Sequence, residues 1–518
     1  MPPGARPGTV PGPGTVPGPG FGRPGFAPGP YRSPAAAAWA GIRQRYYVPP
    51  PPSAGPPPGL GIGRSEHERV YSGLPPVGET RYIPREVVVQ IADTVPRADV
   101  EAAARRLGIA VVESHSFAAG GRTLYQFRAA DGRDVRDVIS GLERDQIVAA
   151  AQPNYVYRLD QAAAVPAGDL APAAAPAPAG VAQESATPAA AATTADAPLP
   201  AGDPGQYTVE KLHLGEAHAF SRGRAISIAV IDSDVDARHP DMHGAVVERF
   251  DPAATPPRPH LHGTGMAGAI LSGFRLRGVA PAATVIAIKA FDERNSGPEA
   301  TTFQILKGLD HAIRRGVRII NMSFAGPYDV MIERKLHEAY DKGIVLVAAA
   351  GNAGPKSPPL YPAADPDVIA VTATDRTDKP FAQANRGKHV AIAAPGVDVL
   401  VPAPNGAYQL TTGTSVAAAH VSGVIALMLE KRPDLTPDEV RAILAGSAVA
   451  LPGSTAVQTG AGLVDPVKAL TFEPPATAEP AVASDTPAKP AAPAAAAAAT
   501  AATPRAAQPA QASGQAAR

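Results

Sequence analysis

The 518-residue chain predicts an α/β protein: a parallel sheet with helices on both faces, preceded by a small α+β unit and flanked by disordered Pro/Gly/Ala-rich segments. Three observations carry this reading. Between residues 203 and 472, apolar runs of strand length alternate with stretches of helical length, and a strand that is apolar at every position is one covered on both faces. Between 81 and 159 a shorter alternation follows the order β-α-β-β-α-β. The rest is dominated by Pro, Gly and Ala and presents no face to pack.

The elements follow in chain order. Residues 1–80 form a Pro/Gly-rich segment with 10 Pro and 9 Gly in the first 30 positions, and Pro-Gly-Thr-Val-Pro-Gly occurs twice in tandem. Such a stretch cannot offset its ordering entropy by burial and is expected to be extended or disordered. The unit at 81–159 reads as strands at Glu86–Ile91, Ile109–Glu113, Arg122–Arg128 and Gln146–Ala150, with helices at Arg97–Leu107 and Val135–Leu142, a ferredoxin-like order. Residues 160–202 are an Ala/Pro-rich linker and 473–518 an Ala/Pro-rich tail, whose poly-alanine run at 494–499 offers no packing face. In the large unit, 203–472, strands are expected at Ala225–Ile231, Thr284–Lys289, Val317–Met322 and Ile344–Ala349, and helices at 299–315 and 331–342. Roughly 265 residues suffice for one large core.

Composition excludes several functions. Lys+Arg and Asp+Glu are both 47, so the net charge is zero and nothing favours nucleic acid or an anionic membrane. There is no cysteine and therefore no disulfide or thiol chemistry. No transmembrane run is present; the apolar stretch Val416–Leu429 contains His420 and Ser422 and reads as a buried helix. Residues 1–30 lack the continuous apolar core of a signal peptide.

Three motifs carry chemistry. Asp232 follows the apolar run Ala225–Ile231, so its carboxylate is expected at the carboxyl end of a buried strand, where crevices form in α/β sheets. His262 opens His-Gly-Thr-Gly-Met-Ala-Gly, whose small residues suit a closely packed helix. Ser415 lies in Gly-Thr-Ser-Val-Ala and begins a long apolar helix, where backbone N–H groups favour negative charge. A serine hydroxyl needs a base within hydrogen-bond reach and a third group to orient that base, and Asp232, His262 and Ser415 supply the set. Asp-His-Ser is one of the chain orders in which this triad occurs. Asn352, ending the run Val345–Gly351, places a side-chain amide at the same sheet edge and with the Ser415 N–H forms a candidate oxyanion hole. Asp234 and Asp236 are the rival carboxylates and rank below Asp232. His260 is expected to be a solvated loop residue and His420 a structural one.

These segments resemble the subtilisin-like serine peptidases. The resemblance covers roughly Asp203 to Leu470 and extends to Asn321–Gly326, Tyr361-Pro-Ala-Ala, Val368–Asp375, Ala384–Gly387 and Ala394–Gly396. It implies a serine endopeptidase acting through an acyl-enzyme, with substrate bound along Ser323, Phe324, Ala325, Gly326, Ala350 and Gly351. It implies no cofactor, polypeptide substrates and a monomer. By the same resemblance 81–159 is an inhibitory prodomain ending near Gln152–Tyr157, the precursor processes itself within 160–205, and export is favoured although no signal peptide is visible. The chain departs from the family pattern at Ser233-Asp234, Gly265-Met266, Ala325 and Ala419. Asp234 is expected to add negative charge beside the triad, and the altered positions motivate an alternative, a weakly active or inactive binding or scaffold protein. Family members often hold calcium in a loop after the catalytic histidine, aided by an aspartate at the position of Asp241. Here Ala269–Gly278 offers no carboxylate, so no metal is expected there.

Overall fold

The computed structural model describes residues 72–130, 132–159, 198–294 and 297–473. Most of the expected Pro/Gly/Ala-rich segments, at 1–71, 160–197 and 474–518, lie outside the described residues, as does the poly-alanine run.

The first unit runs β1 (Tyr82–Ala92), α1 (Arg97–Arg106), β2 (Ile109–Ser116), β3 (Arg122–Ala129), α2 (Val135–Leu142) and β4 (Val148–Leu159). The Asp134 carboxylate accepts the Arg136 N–H and starts α2. The strands pair antiparallel in the order β2-β3-β1-β4. Alternation along β1 divides its side chains: Val87, Val89 and Ile91 pack on α1 and α2, while Val88 faces the other way into the core of the second unit. Two expectations are corrected. Gln146 and Ile147 belong to the turn after α2, where the Val148 N–H bonds to the Asp145 carbonyl, and 152–157 continue the strand because partners are present on both sides. Residues 72–80 are held against this unit rather than belonging to a free segment: the Gly73 N–H donates to the Glu143 carboxylate at 2.7 Å, and Arg136 donates to the Pro76 carbonyl.

The second unit opens with α3 (Thr208–Lys211) and α4 (Leu214–Phe220), then β5 (Ser227–Asp232), β6 (Val246–Phe250), α5 (Leu261–Leu271), β7 (Thr284–Lys289), β8 (Asp292–Arg294) and β9 (Gly297–Thr301). It continues through α6 (Thr302–Arg314), β10 (Ile319–Met322), β11 (Phe324–Ala325), α7 (Val330–Asp341), β12 (Val345–Ala349), β13 (Val368–Thr374) and β14 (Val390–Pro395). A hairpin of β15 (Val399–Ala403) and β16 (Ala407–Thr411) precedes α8 (Thr414–Lys431) and α9 (Pro437–Ser447). Among the described residues a seven-stranded parallel sheet has the order β14-β13-β12-β10-β5-β7-β6. Ile228, Val230, Val345 and Val347 face α5 and α8, whereas Ala229, Ile231, Leu346 and Ala348 face α6 and α7. The sheet is therefore apolar on both sides, as the continuous runs required. The helix expected from residue 299 begins instead at 302, since Thr301 and Gln304 form a capping box and the preceding residues join a strand.

β4 links the two units. Its first part pairs with β1, and its last residues lie between β9 (Tyr157 opposite Ala300, Arg158 opposite Glu299) and β11 (Arg158 opposite Ala325, Leu159 opposite Phe324).

Candidate active site

Parallel pairing brings Asp232, Met322 and Ala349 to the same edge of the large sheet, each at the carboxyl end of its strand. Asp232 is fully buried at the last position of β5. Its Oδ1 accepts three bonds, from the Ser233 N–H (2.7 Å), the Ser233 hydroxyl (3.1 Å) and Nδ1 of His262 (2.7 Å). The carboxylate thereby selects the His262 tautomer that carries its proton on Nδ1 and leaves Nε2 basic. Nε2 of His262 and Oδ2 of Asp232 are buried without a hydrogen-bond partner. His262 is the second residue of α5, which presses on the strand it serves. A Cβ at Gly263 would lie 2.3 Å from the Ser233 carbonyl oxygen, and one at Gly268 would lie 2.3 Å from Pro402 of β15. The small residues of the His262 motif are thus required by close approach.

Ser415 is the second residue of α8. Its Oγ donates to the Ser323 carbonyl at 3.3 Å, and the Ser323 hydroxyl returns a bond to the Ser415 carbonyl at 3.2 Å. Asn321 ties this pair down, donating to the Ser323 hydroxyl and accepting from Ser422 further along α8. The side chain of Asn352 accepts from both the N–H and the hydroxyl of Thr414 at 3.0 Å, so Nδ2 is the donating end of its amide. Gly351 has φ +106°, a backbone conformation that favours glycine, and its N–H bonds to the Thr414 hydroxyl. Ala350 is buried, bonded through its N–H to β13. Thr414, Asn321 and Asn385, which holds Ala353 through its side-chain oxygen, are supports that motif reading had not assigned a role.

Ser323 leads into Phe324 and Ala325, which pair with the end of β4, and Gly326 follows. Tyr157 is buried there, edge-on to the Phe324 ring at 5.9 Å, with its hydroxyl donating to the Pro327 carbonyl. A Cβ at Gly326 would fall 2.3 Å from the Tyr157 ring. Gly326 also exchanges backbone bonds with Tyr361.

Four other expectations meet their surroundings here. The Asp234 carboxylate does not stand as uncompensated charge: Arg249 binds it at 2.7 and 3.2 Å and the Arg258 N–H at 2.6 Å. His260 is not a solvated loop residue, because its Nδ1 is the N-cap acceptor of α5. His420 is buried, bonded to the Pro395 carbonyl, and burial pushes its pKa down to about 4, so it stays neutral inside α8. At the position associated with calcium, Asp241 is satisfied by protein donors: Oδ1 accepts the N–H groups of Phe274, Arg275 and Leu276, and Oδ2 the Tyr408 hydroxyl at 2.6 Å.

Comparison with known proteins gives two family matches. Residues 223–465 match the subtilase family, and residues 71–154 match the fervidolysin N-terminal prodomain. Thermitase of Thermoactinomyces vulgaris is 32% identical over 275 residues, 52% of this chain and 96% of thermitase. Subtilisin E of Bacillus subtilis is 35% identical over 252 residues, and there the match spans 47% of this chain and 65% of that protein's length. The crystal structure of fervidolysin from Fervidobacterium pennivorans, described as a keratinolytic enzyme related to subtilisin, has the same fold, with a TM-score of 0.61 at 24% identity over 78% of this chain and 63% of that one.

Proposed function

Because the chain belongs to the subtilase family, we propose that it is a serine endopeptidase made as a precursor whose prodomain occupies the substrate cleft until the enzyme cuts the connection. The observation that carries the reading is the 2.7 Å bond from His262 Nδ1 to the buried Asp232 carboxylate, which leaves Nε2 as the basic nitrogen. Asp232 orients His262 and stabilises the imidazolium. Ser415 Oγ turns from the Ser323 carbonyl toward Nε2, gives up its proton there and attacks the peptide carbonyl; His262 then returns the proton to the leaving amine. The Ser415 N–H and Asn352 Nδ2 donate to the oxyanion. The acyl-enzyme is released by water through the same steps in reverse.

The position of β4 supports the precursor reading. A polypeptide strand already lies between β9 and β11, and its residue Leu159 stands opposite Phe324, next to the Ser323 that bonds with Ser415. The cut then falls within 160–205, the Ala/Pro-rich sequence between the two units. Labelling with a fluorophosphonate tests the activity. The processed protein is expected to label, and Ser415→Ala to abolish the label; a processed protein that fails to label favours a binding or scaffold role for the fold.

A further inference from the structure

We propose that His260 is a positioning residue for the Asp232–His262 pair, switching the single proton of the Ser233 hydroxyl between two acceptors. The proposal rests on the peptidase reading above, and on three bonds. Nδ1 of His260 faces the Ser233 hydroxyl at 3.0 Å and the backbone N–H of His262 at 3.2 Å. The same hydroxyl faces Asp232 Oδ1 at 3.1 Å and accepts the Gly263 N–H at 3.0 Å. The His260 backbone is fixed by its own N–H, which donates to the Asp234 carbonyl at 2.9 Å.

A serine hydroxyl has one hydrogen to give. When Nδ1 of His260 carries no proton, it accepts from the His262 N–H, capping α5, and competes with Asp232 for the Ser233 proton. When both ring nitrogens are protonated, Nδ1–H donates to the Ser233 oxygen. The serine proton then goes to Asp232, and the cap on the His262 N–H is lost. One protonation event therefore changes a bond to the catalytic carboxylate and releases the backbone anchor of the catalytic histidine, although His260 touches no reacting atom.

The charged groups acting on His260 are His262 on α5, Asp232 at the end of β5 and Glu293 in β8, whose carboxylate lies 3.5 Å from Nε2. Asp234, beside the backbone contact, is committed to Arg249 and the Arg258 N–H. Burial, and then the neighbouring His262, hold the His260 pKa below the ordinary histidine value. The switch accordingly operates on the acid side of the activity profile.

Three variants test this. Asparagine keeps an oxygen that can accept from both the His262 N–H and the Ser233 hydroxyl and has no proton to gain, while alanine removes the cap. Loss of a capping acceptor predicts a kcat about five- to tenfold lower for His260→Ala with KM within about twofold, and recovery of most of that loss in His260→Asn. In wild type the acid limb of kcat/KM is expected to fall more steeply than one ionisation allows, and in His260→Asn to follow a single ionisation. Independently of turnover, the His262 ring nitrogen signals of the intact Ser415→Ala chain should show two inflections with pH, reduced to one by His260→Asn and by Ser233→Ala. Superimposable pH profiles for wild type and His260→Asn would overturn the proposal, as would a second inflection of full size in Ser233→Ala, which assigns the coupling to charge through space. A wild-type protein that neither hydrolyses peptides nor labels contradicts the peptidase reading instead, and leaves the two-inflection measurement to decide the coupling.

Discussion

The two sheets of the molecule are buried in different ways. The parallel sheet is covered on both faces by helices of its own unit, and the cluster on its α6–α7 side extends into the N-terminal unit. The antiparallel sheet of the N-terminal unit packs one face on its own α1 and α2 and the other on α6 and α7, which belong to the second unit. That second junction combines buried apolar side chains, Val88, Phe117, Leu124, Tyr155, Tyr157 and Leu159, with polar bonds. Gln152 donates to Asp329, the N-cap of α7, at 2.7 Å; Asn154 accepts the Phe303 N–H of α6; and the Tyr155 N–H bonds to Thr302. The polar part of the junction can return to water on separation, whereas the parallel sheet, apolar on both faces, cannot lose its own helices without unfolding. On the proposed reading the chemistry belongs to the permanent sheet and its restraint to the one that detaches.

The largest test of that division removes the chemistry alone. His262→Ala or Ser415→Ala should lower kcat for peptide hydrolysis by about 10⁶, because triad members act as a unit, while the melting temperature changes little. A steady-state assay with a site-blocked control separates residual activity from contamination. Asn352→Ala should cost less, about 10²–10³ in kcat, the usual size for removing one oxyanion-hole donor. An unchanged kcat would remove Asn352 from the oxyanion hole.

The junction can be attacked from its aromatic anchor. Tyr157→Ala should weaken retention of the prodomain after cleavage by about 100-fold, since a buried ring and its hydroxyl bond to Pro327 are lost together. Size-exclusion co-elution of the two fragments measures this, and Gly326→Ala should act in the same direction because the new methyl meets the same ring. Co-elution unchanged in both variants would show that the strand between β9 and β11 contributes little to the junction.

The smallest effect tests the permanent core. Burial raises the Asp365 pKa to about 7, above its ordinary 3.8. A raised folded-state pKa contributes stability that is fully present below about pH 4 and is lost as pH rises through about 7. Asp365→Asn, which still accepts the Asp367 N–H, should therefore stabilise the protein at pH 8 by on the order of 1 kcal/mol and do nothing at pH 4. Thermal melts at the two pH values, with Ser415→Ala as background to prevent self-digestion, decide it; equal shifts at both would contradict the assignment to the carboxyl group.

Much of this was legible in the sequence where one segment carries the whole signal. Apolar runs gave β5, β7, β10 and β12, because a parallel strand buried on both faces is apolar without help from any partner. Asp232, His262 and Ser415, the proposed triad, could be picked out because each sits in its own local motif. What stayed hidden depends on partners far along the chain. β9 is a strand through its pairing with β4 and β8, and its Gly-Pro start reads as a turn. The neutralisation of Asp234 needs Arg249, and the capping role of His260 is invisible until α5 is placed against Ser233. The β15–β16 hairpin did carry a local signal, Asn405-Gly406, both in the left-handed backbone region.

The central claim, that the strand in the cleft is part of a precursor cut by Ser415, is tested most directly by intact-mass measurement on wild type and Ser415→Ala expressed side by side. The account predicts two wild-type fragments, the larger beginning within 160–205, and a single full-length Ser415→Ala chain. The same cleavage in both proteins would contradict it.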